Sequence, residues 1–416
     1  MKNTLFPLFL AGSSLATQAH ADFIEDSKAR LELRNFYFNR DFRQTAAAQS
    51  KQEEWAQGFL LRYESGYTDG TIGVGIDALG LLGVKLDSSP DRAGSGLLKR
   101  DASAPRRAKD EYGELGLTAK FKASNSVLKV GTLTPKLPVL VANDSRLLPQ
   151  TFRGGQLNVQ EIKGLVIDAG HLDRVNQRDS SDYEKFSITT TGAKGIANSQ
   201  VRSNAFDFAS LAYQWNGQLN SSYSYGGLDN FYHQHQFNLV HVLPLGEGQS
   251  LKSDLRYARS TDDGHSNIDN NALGAMFTYA LGGHAFGLGY QRMSGDTGFA
   301  YINGTDAFLV NFVQIGDFAN TDERSWQARY DYNFAALGVP GLTFMTRYLS
   351  GDSIDLGAGN AKGREWERDT DIGYVVQEGP LKNVGLKWRN ATVRTAHFGS
   401  DLNENRLILS YTLALW

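Results

Sequence analysis

Basic residues recur at alternate positions of short apolar segments, and the chemistry they offer is carboxylate recognition. Arg30, Glu32, Arg34 and Arg40 share one parity in the segment around 28–40, while Leu31, Leu33 and Tyr37 take the other. In Gly385-Leu386-Lys387-Trp388-Arg389 the cations again alternate with apolar residues, and Arg256, Arg329, Arg347 and Arg406 sit in similar settings. A guanidinium keeps its charge at any relevant pH and presents a planar fork that matches a carboxylate, so a series of arginines suits carboxylate passage better than lysines would. Asp168, Asp254 and Asp331 share the polar parity of their segments and are placed to hold some of these arginines. Two uses of the arginines stay open at this point: a path for anions, or ion pairs across strands that serve stability alone.

Other chemistry-bearing groups are weaker. His233 and His235 share a strand face without a third ligand at fixed spacing. Gly351-Asp352-Ser353-Ile354 resembles a nucleophile block, yet it follows a strand, has no nearby histidine and matches turn chemistry. Asp262-Asp263-Gly264-His265 and Asp269 form an acidic stretch whose default reading is a solvated loop. No cofactor and no metal is implied, and cysteine is absent, which removes thiolate nucleophiles and disulfides.

The elements that must position the arginines are strands. The chain closes on Arg406-Leu407-Ile408-Leu409-Ser410-Tyr411-Thr412-Leu413-Ala414-Leu415-Trp416, with large apolar residues at odd positions and polar or small ones at most even positions. A strand of period two with an apolar face fits either a soluble core or the lipid face of an outer-membrane barrel. Residues 1–21 read as a secretory leader, with Lys2, the apolar run from Leu5 to Ala16, and Ala19-His20-Ala21 as the cleavage site. The remaining 22–416 read as one domain. Without the leader, 41 basic residues face 45 acidic ones, a net charge of −4, which implies no nucleic-acid partner. No other segment has the roughly 18 apolar residues a membrane helix needs, so a membrane-spanning form must be a barrel.

The alternation predicts eighteen antiparallel strands from 28–40 to 405–416, with 56–66, 154–161 and 369–378 among them. Loops are alternately short and long, the short ones carrying Asn216-Gly217, Gly282-Gly283 and Gly379-Pro380. An even strand number puts both termini on the periplasmic side. A charge on the lipid face costs about 2–4 kcal/mol at mid-membrane, so the cations above must point into the lumen. The loop from Leu137 to Gly155 is rich in bulky apolar residues and bracketed by Pro138 and Pro149. It suits a segment folded into the interior, which would carry Arg146 and Arg153 into the pore; packing on the outer surface is the other reading.

Several segments resemble the OprD family of substrate-specific outer-membrane porins. They are Leu33 to Arg43, Gln57-Gly58-Phe59, Glu64-Ser65-Gly66-Tyr67, Gly73 to Gly80, Ser145-Arg146-Leu147-Leu148-Pro149-Gln150, Ser325 to Asp331 and Val339 to Met345. The resemblance implies an all-β, eighteen-stranded barrel in the outer membrane, monomeric or loosely trimeric, with inward loops at a constriction. It implies that Arg40, Arg43 and Arg389, with Lys387 beside them, form a basic ladder. It also implies that Asp144 and Arg146 lie at an eyelet, faced from the fourth loop by Arg178 and Arg174. The stretch Leu82 to Arg92 and the Arg146–Arg153 loop look closest to the benzoate and vanillate branch. The implied partners are small carboxylates and outer-membrane lipid, and the implied activity is passive uptake without catalysis. Porins for basic amino acids or small peptides are the alternative, with an outer-membrane barrel enzyme as the rival from another class.

Overall fold

The computed structural model describes residues 23–44, 47, 49–189 and 194–416; the predicted leader lies outside them. Among the described residues eighteen long strands make one antiparallel sheet. The sheet closes on itself: the first strand, Lys28–Phe42, pairs with the second, Lys51–Glu64, and with the last, Leu402–Ala414. Closure is what lets a sheet sit in lipid, because no edge leaves backbone groups unpaired.

The side-chain pattern explains which face goes where. Leu386, Trp388, Leu407 and Leu409 are exposed on the outside, and so are Leu115, Leu117, Phe237 and Leu288. The alternate residues of the wall strands, such as Arg406, Asp254, Asp371 and Thr118, are buried toward the lumen. Apolar-out and polar-in alternation is therefore carried through the wall, as the parity of the arginines requires.

Most strand positions fall where the alternation predicts, with differences at the loop ends. The second strand starts at Lys51 instead of 56, and Gly363–Val375 starts six residues before the predicted 369. Both extra stretches are rich in charge, Lys51-Gln52-Glu53-Glu54 and Arg364-Glu365-Trp366-Glu367-Arg368. Strands of 13–15 residues exceed the roughly 9–11 a tilted span requires. Their ends project past the hydrocarbon, where no apolar alternation is demanded and none is present to be read.

The apolar core lies inside the barrel and is built largely from loops. Leu137, Leu140, Phe152, Phe186, Ile188, Phe206, Phe231 and Ile302 form one cluster, and Phe36, Phe38, Leu97, Leu98, Leu147 and Leu148 another. The segment between Ser294 and Arg324, read from sequence as an outer loop, is mostly buried from Thr297 to Glu323. Isolated bridges join it to its neighbours, Val141 with Asp306 and Ile188 with Ile302. Burying these loops removes apolar surface from water at about 25 cal/mol per Å², which outweighs the freedom they lose.

Candidate constriction and permeation path

The cationic wall follows from strand register. On the inner face of three neighbouring strands, Arg34 stands opposite Ser410, Ile408 lies between Phe36 and Lys387, Arg406 between Phe38 and Arg389, and Glu404 between Arg40 and Ala391. Each two-residue step advances about 7 Å along a strand. Going inward from the loop end, the cations therefore come as Arg40, then Arg389 with Arg406, then Lys387, then Arg34.

Every cation on this wall has a carboxylate. Glu404, fully buried, accepts from Arg40 at 2.5 Å and from Arg406 at 2.6 Å. Asp371 accepts from Arg389 at 3.0 Å and from Lys387 at 3.3 Å. Farther round the barrel Arg347 pairs with Asp369, Arg329 with Asp331 and Arg256 with Asp254, each within 2.8 Å. Lys387 and Arg329 keep the largest exposed fractions of these side chains, 48% and 36%. Arg43 differs: it is exposed just beyond the first strand, and its backbone N–H donates to the Asp401 carbonyl. Asp168 holds no arginine; its carboxylate accepts from Gln156 and Asn158, because amides occupy the inward positions facing it.

The loop containing Asp144 and Arg146 folds inward. Lys136–Leu137 and Leu140–Val141 form a small hairpin, and the Ala142 N–H donates to the Pro135 carbonyl. Leu147 and Leu148 then bury against the wall. Gly58 permits that approach, since a Cβ there would stand 3.2 Å from the Leu147 side chain. Arg34 donates to Asp144 at 2.7 Å and to the Arg146 carbonyl at 2.8 Å. The Arg146 side chain itself is 6% exposed. Its guanidinium lies 5.1 Å from the Phe38 ring, which Arg40 and Arg406 also approach, at 5.4 and 6.0 Å. The bonds of Arg146 go to neutral oxygens, the Ser95 and Ser145 carbonyls at 3.4 and 3.2 Å. Burial first, then the neighbouring Arg406 and Arg178, push its pKa well below the usual arginine range.

Arg178 comes from the fourth long loop and donates to Asn143 at 2.9 Å and to the Ser145 hydroxyl at 3.3 Å. Burial lowers its pKa, against the pull of Asp179 and Asp306. Arg174 is not on that loop: it ends in the strand Leu165–Asn176, and its guanidinium donates to the Asp173 carbonyl at 2.6 Å. Arg153 also lies in a strand, Thr151–Val159, and pairs with Asp173 at 2.5 Å. The structure thus brings Asp144, Arg146 and Arg178 to one place and leaves Arg174 and Arg153 beside it on the wall.

Sequence reading missed the third contributor, the 295–323 segment. Asn143 donates to Asp306 in it, Gln314 donates to Glu404 at 3.2 Å, and the Gln314 carbonyl accepts from Arg406 at 3.1 Å. Asn311 donates to Ser325 at 2.8 Å, while Phe308 lies 3.9 Å from the Arg256 guanidinium. The backbone N–H groups of Ile315 and Gly316 donate to Glu367. The segment so reaches from its own strands across the lumen to the last strand. A signal was present: Phe299 to Val313 is as rich in bulky apolar residues as the Leu137–Gly155 loop, for which the same content admitted an inward reading.

The remaining candidates are occupied by ordinary partners. His233 bonds Tyr225 and Asp263, and His235 bonds Tyr223. Ser353, in the left-handed region, donates to Asp352 at a register irregularity near the end of the strand Leu342–Ile354, where the sequence suggested a turn. Asp262 caps Gly264 and Asp269 pairs with Arg259.

Residues 21–415 match the outer membrane porin, OprD family. Among solved structures the chain is similar to Pseudomonas aeruginosa OpdQ, at 65% identity and a TM-score of 0.88 over 95% of this chain and 100% of that one. It is similar to a BenF-like porin from Pseudomonas fluorescens Pf-5, at 40% identity and a TM-score of 0.88, over 94% and 100%. It is likewise similar to Pseudomonas aeruginosa OpdK with vanillate, at 40% identity and a TM-score of 0.86, over 95% and 100%.

Proposed function

Because the chain belongs to the OprD family of outer-membrane porins, substrate-specific channels, we propose that it admits small carboxylates, aromatic acids of the benzoate and vanillate kind first among them. The observation that carries this reading is the run of inward cations from Arg40 through Arg389 and Lys387 to Arg34, one step apart along three paired strands.

A carboxylate reaching the mouth meets the positive field of Arg43 and the wall behind it, which raises its local concentration. At the eyelet it meets Arg146 and Arg178, which among the described residues have only neutral acceptors on their guanidinium groups. Acids act on them only through space, Asp179 and Asp306 on Arg178 and Glu404 on Arg146, so their hydrogen-bonding capacity toward an arriving anion is not spent on a carboxylate. Arg146 lies under the surface and acts through its field. Down the wall each guanidinium already holds an acid, so the substrate competes with Glu404 or Asp371 and is held weakly, as conduction requires. The path ends on the side of the short turns, which this reading makes periplasmic together with both termini, with one pore per chain in a monomer or a loose trimer.

One observation favours the second reading, uptake of amino acids: the Asp144 side chain is 45% exposed beside Arg34, a pairing that suits an ammonium next to a carboxylate. Single-channel recording in planar bilayers separates the two. Carboxylate uptake is supported by concentration-dependent interruption of the current with benzoate; interruption by arginine and none by benzoate reverses the assignment.

A further inference from the structure

Four arginines on the outside of the barrel have side chains with no hydrogen-bond or ion-pair partner among the described residues. Arg292 ends the strand His284–Ser294, Arg324 begins Arg324–Asn333, and Arg364 and Arg368 lie in Gly363–Val375. All are exposed, and their even parity is that of Leu288, Trp326 and Ile372, which face outward. Arg292 and Arg324 are register partners across two strands. Like charges directly opposite in a sheet destabilise it unless something neutralises them.

Their height on the barrel is specific. Arg292, Arg324 and Arg364 lie at the long-loop ends of their strands, and beside them run Tyr290, Trp326, Tyr348 and Trp366. The rings of Trp326 and Tyr348 are 5.5 Å apart, those of Tyr348 and Trp366 5.7 Å. Aromatic residues of this kind mark the level of lipid headgroups. A groove of about 830 Å³ opens there, lined by Ser350, Lys362, Arg364, Trp366 and Arg394. Arg394 lies 5.9 Å from the Trp366 ring. Asp352 borders the groove, but its carboxylate accepts from the Ser353 hydroxyl instead of from Arg324.

We propose that this outward arginine cluster binds the phosphate-bearing headgroup of a lipid in the surrounding leaflet. The site rests on the reading that the long-loop end faces outward, and not on the identity of the permeating acid. A free guanidinium fork pairs with two phosphate oxygens, and one phosphate between Arg292 and Arg324 removes their repulsion. Trp366 gives the sugar or acyl part of such a lipid an apolar face, while Arg364 and Arg368 flank it on the same side of the strand. At the level of Arg292 and Arg324 the next strand contributes Asp352, the register partner of Arg324, and Arg364 follows on the strand beyond, with Arg368 four residues farther along; several cations against one outward acid leave a net charge that suits an anion.

Native mass spectrometry of the purified barrel, mixed with diphosphoryl lipid A or with its dephosphorylated form, tests the site. The wild-type protein is expected to retain the phosphorylated lipid, and Arg292→Gln, Arg324→Gln, Arg364→Gln and Arg368→Gln combined to lose about tenfold in retention. Equal retention by the variant overturns the site, as does equal retention of the dephosphorylated lipid by wild type. Displacement of the lipid by stoichiometric inorganic phosphate assigns the cluster to the free ion and overturns the lipid reading. Should the fourfold variant fail to fold, Arg292→Gln with Arg324→Gln alone and the wild-type comparison decide the matter. Benzoate interruption of the current is measured on the same variants; the cluster lies outside the pore, so it stays unchanged even where lipid binding is lost.

Discussion

Arg34, on the wall, and Asp144, on the inward loop, meet at 2.7 Å, and the same guanidinium reaches the Arg146 carbonyl at 2.8 Å. One side chain of the barrel therefore positions both the exposed acid of the constriction and the backbone that carries its buried arginine. The loop's place in the pore depends on this contact together with the seating of Leu147 beside Gly58.

Replacing Asp144 by Asn keeps the shape and removes the charge. A half-exposed pair contributes about 1 kcal/mol, roughly fivefold in the balance between seated and displaced loop. Asp144→Asn is expected to fold normally and to show noisier single-channel current, with Arg34→Ala noisier still because the Arg146 and Leu147 carbonyls also lose a donor. Current noise equal to wild type in both variants would show that the contact does not hold the loop.

Glu404 carries two arginines at once and is fully buried. Glu404→Gln leaves Arg40 and Arg406 facing each other without a counter-charge, a loss on the order of 3–5 kcal/mol for a broken buried pair. The urea midpoint of the variant in lipid vesicles should fall accordingly, and adding Arg40→Gln should restore part of it. An unmoved midpoint in the single variant removes Glu404 from the framework of the wall.

Arg389 and Asp371 set opposite contributions to the field of the lumen. Arg389→Ala together with Arg146→Ala should lower the anion-to-cation permeability ratio, read as a shifted reversal potential in a salt gradient. Asp371→Asn should raise that ratio, and Arg389→Lys should preserve it while weakening benzoate interruption, since an ammonium lacks the fork. A reversal potential unmoved in the double variant excludes both arginines from selection.

Asp317, in the crossing segment, is partly buried, and loss of hydration pushes its pKa up to about 6, with the Tyr301 hydroxyl pulling the other way. The folded segment then binds a proton more tightly than the unfolded chain. Its stability is greatest below the unfolded value near 3.8 and declines as pH rises through about 6, by up to on the order of 3 kcal/mol. Hydrogen exchange of residues 299–319, corrected for intrinsic rates, should accelerate from pH 4.5 to pH 7 in wild type and stay flat in Asp317→Asn. The same acceleration in both would assign the effect to other groups.

Parity alone placed Arg34, Arg40, Arg256, Arg329, Arg347, Arg389 and Arg406 on the inner face, because lipid excludes charge from the other one and a strand has only two faces. The alternation of long loops and short turns likewise determined an eighteen-stranded barrel, whereas the apolar content of the loop carrying Arg146 left inward folding and packing on the outer surface both open. What period two does not encode is which strand lies beside which arginine at what height. That Glu404 serves both Arg40 and Arg406, and Asp371 both Arg389 and Lys387, is settled by the register across three strands. Loop placement is equally non-local: Asn143 finds Asp306, and Gln314 finds Glu404, across 163 and 90 residues of chain. The sequence by itself determined the wall and the signs of its charges. Tertiary structure decided which charges are already spent on each other and which loops cross the pore, since those depend on closure of the barrel and on apolar loops seeking an interior that no single segment contains.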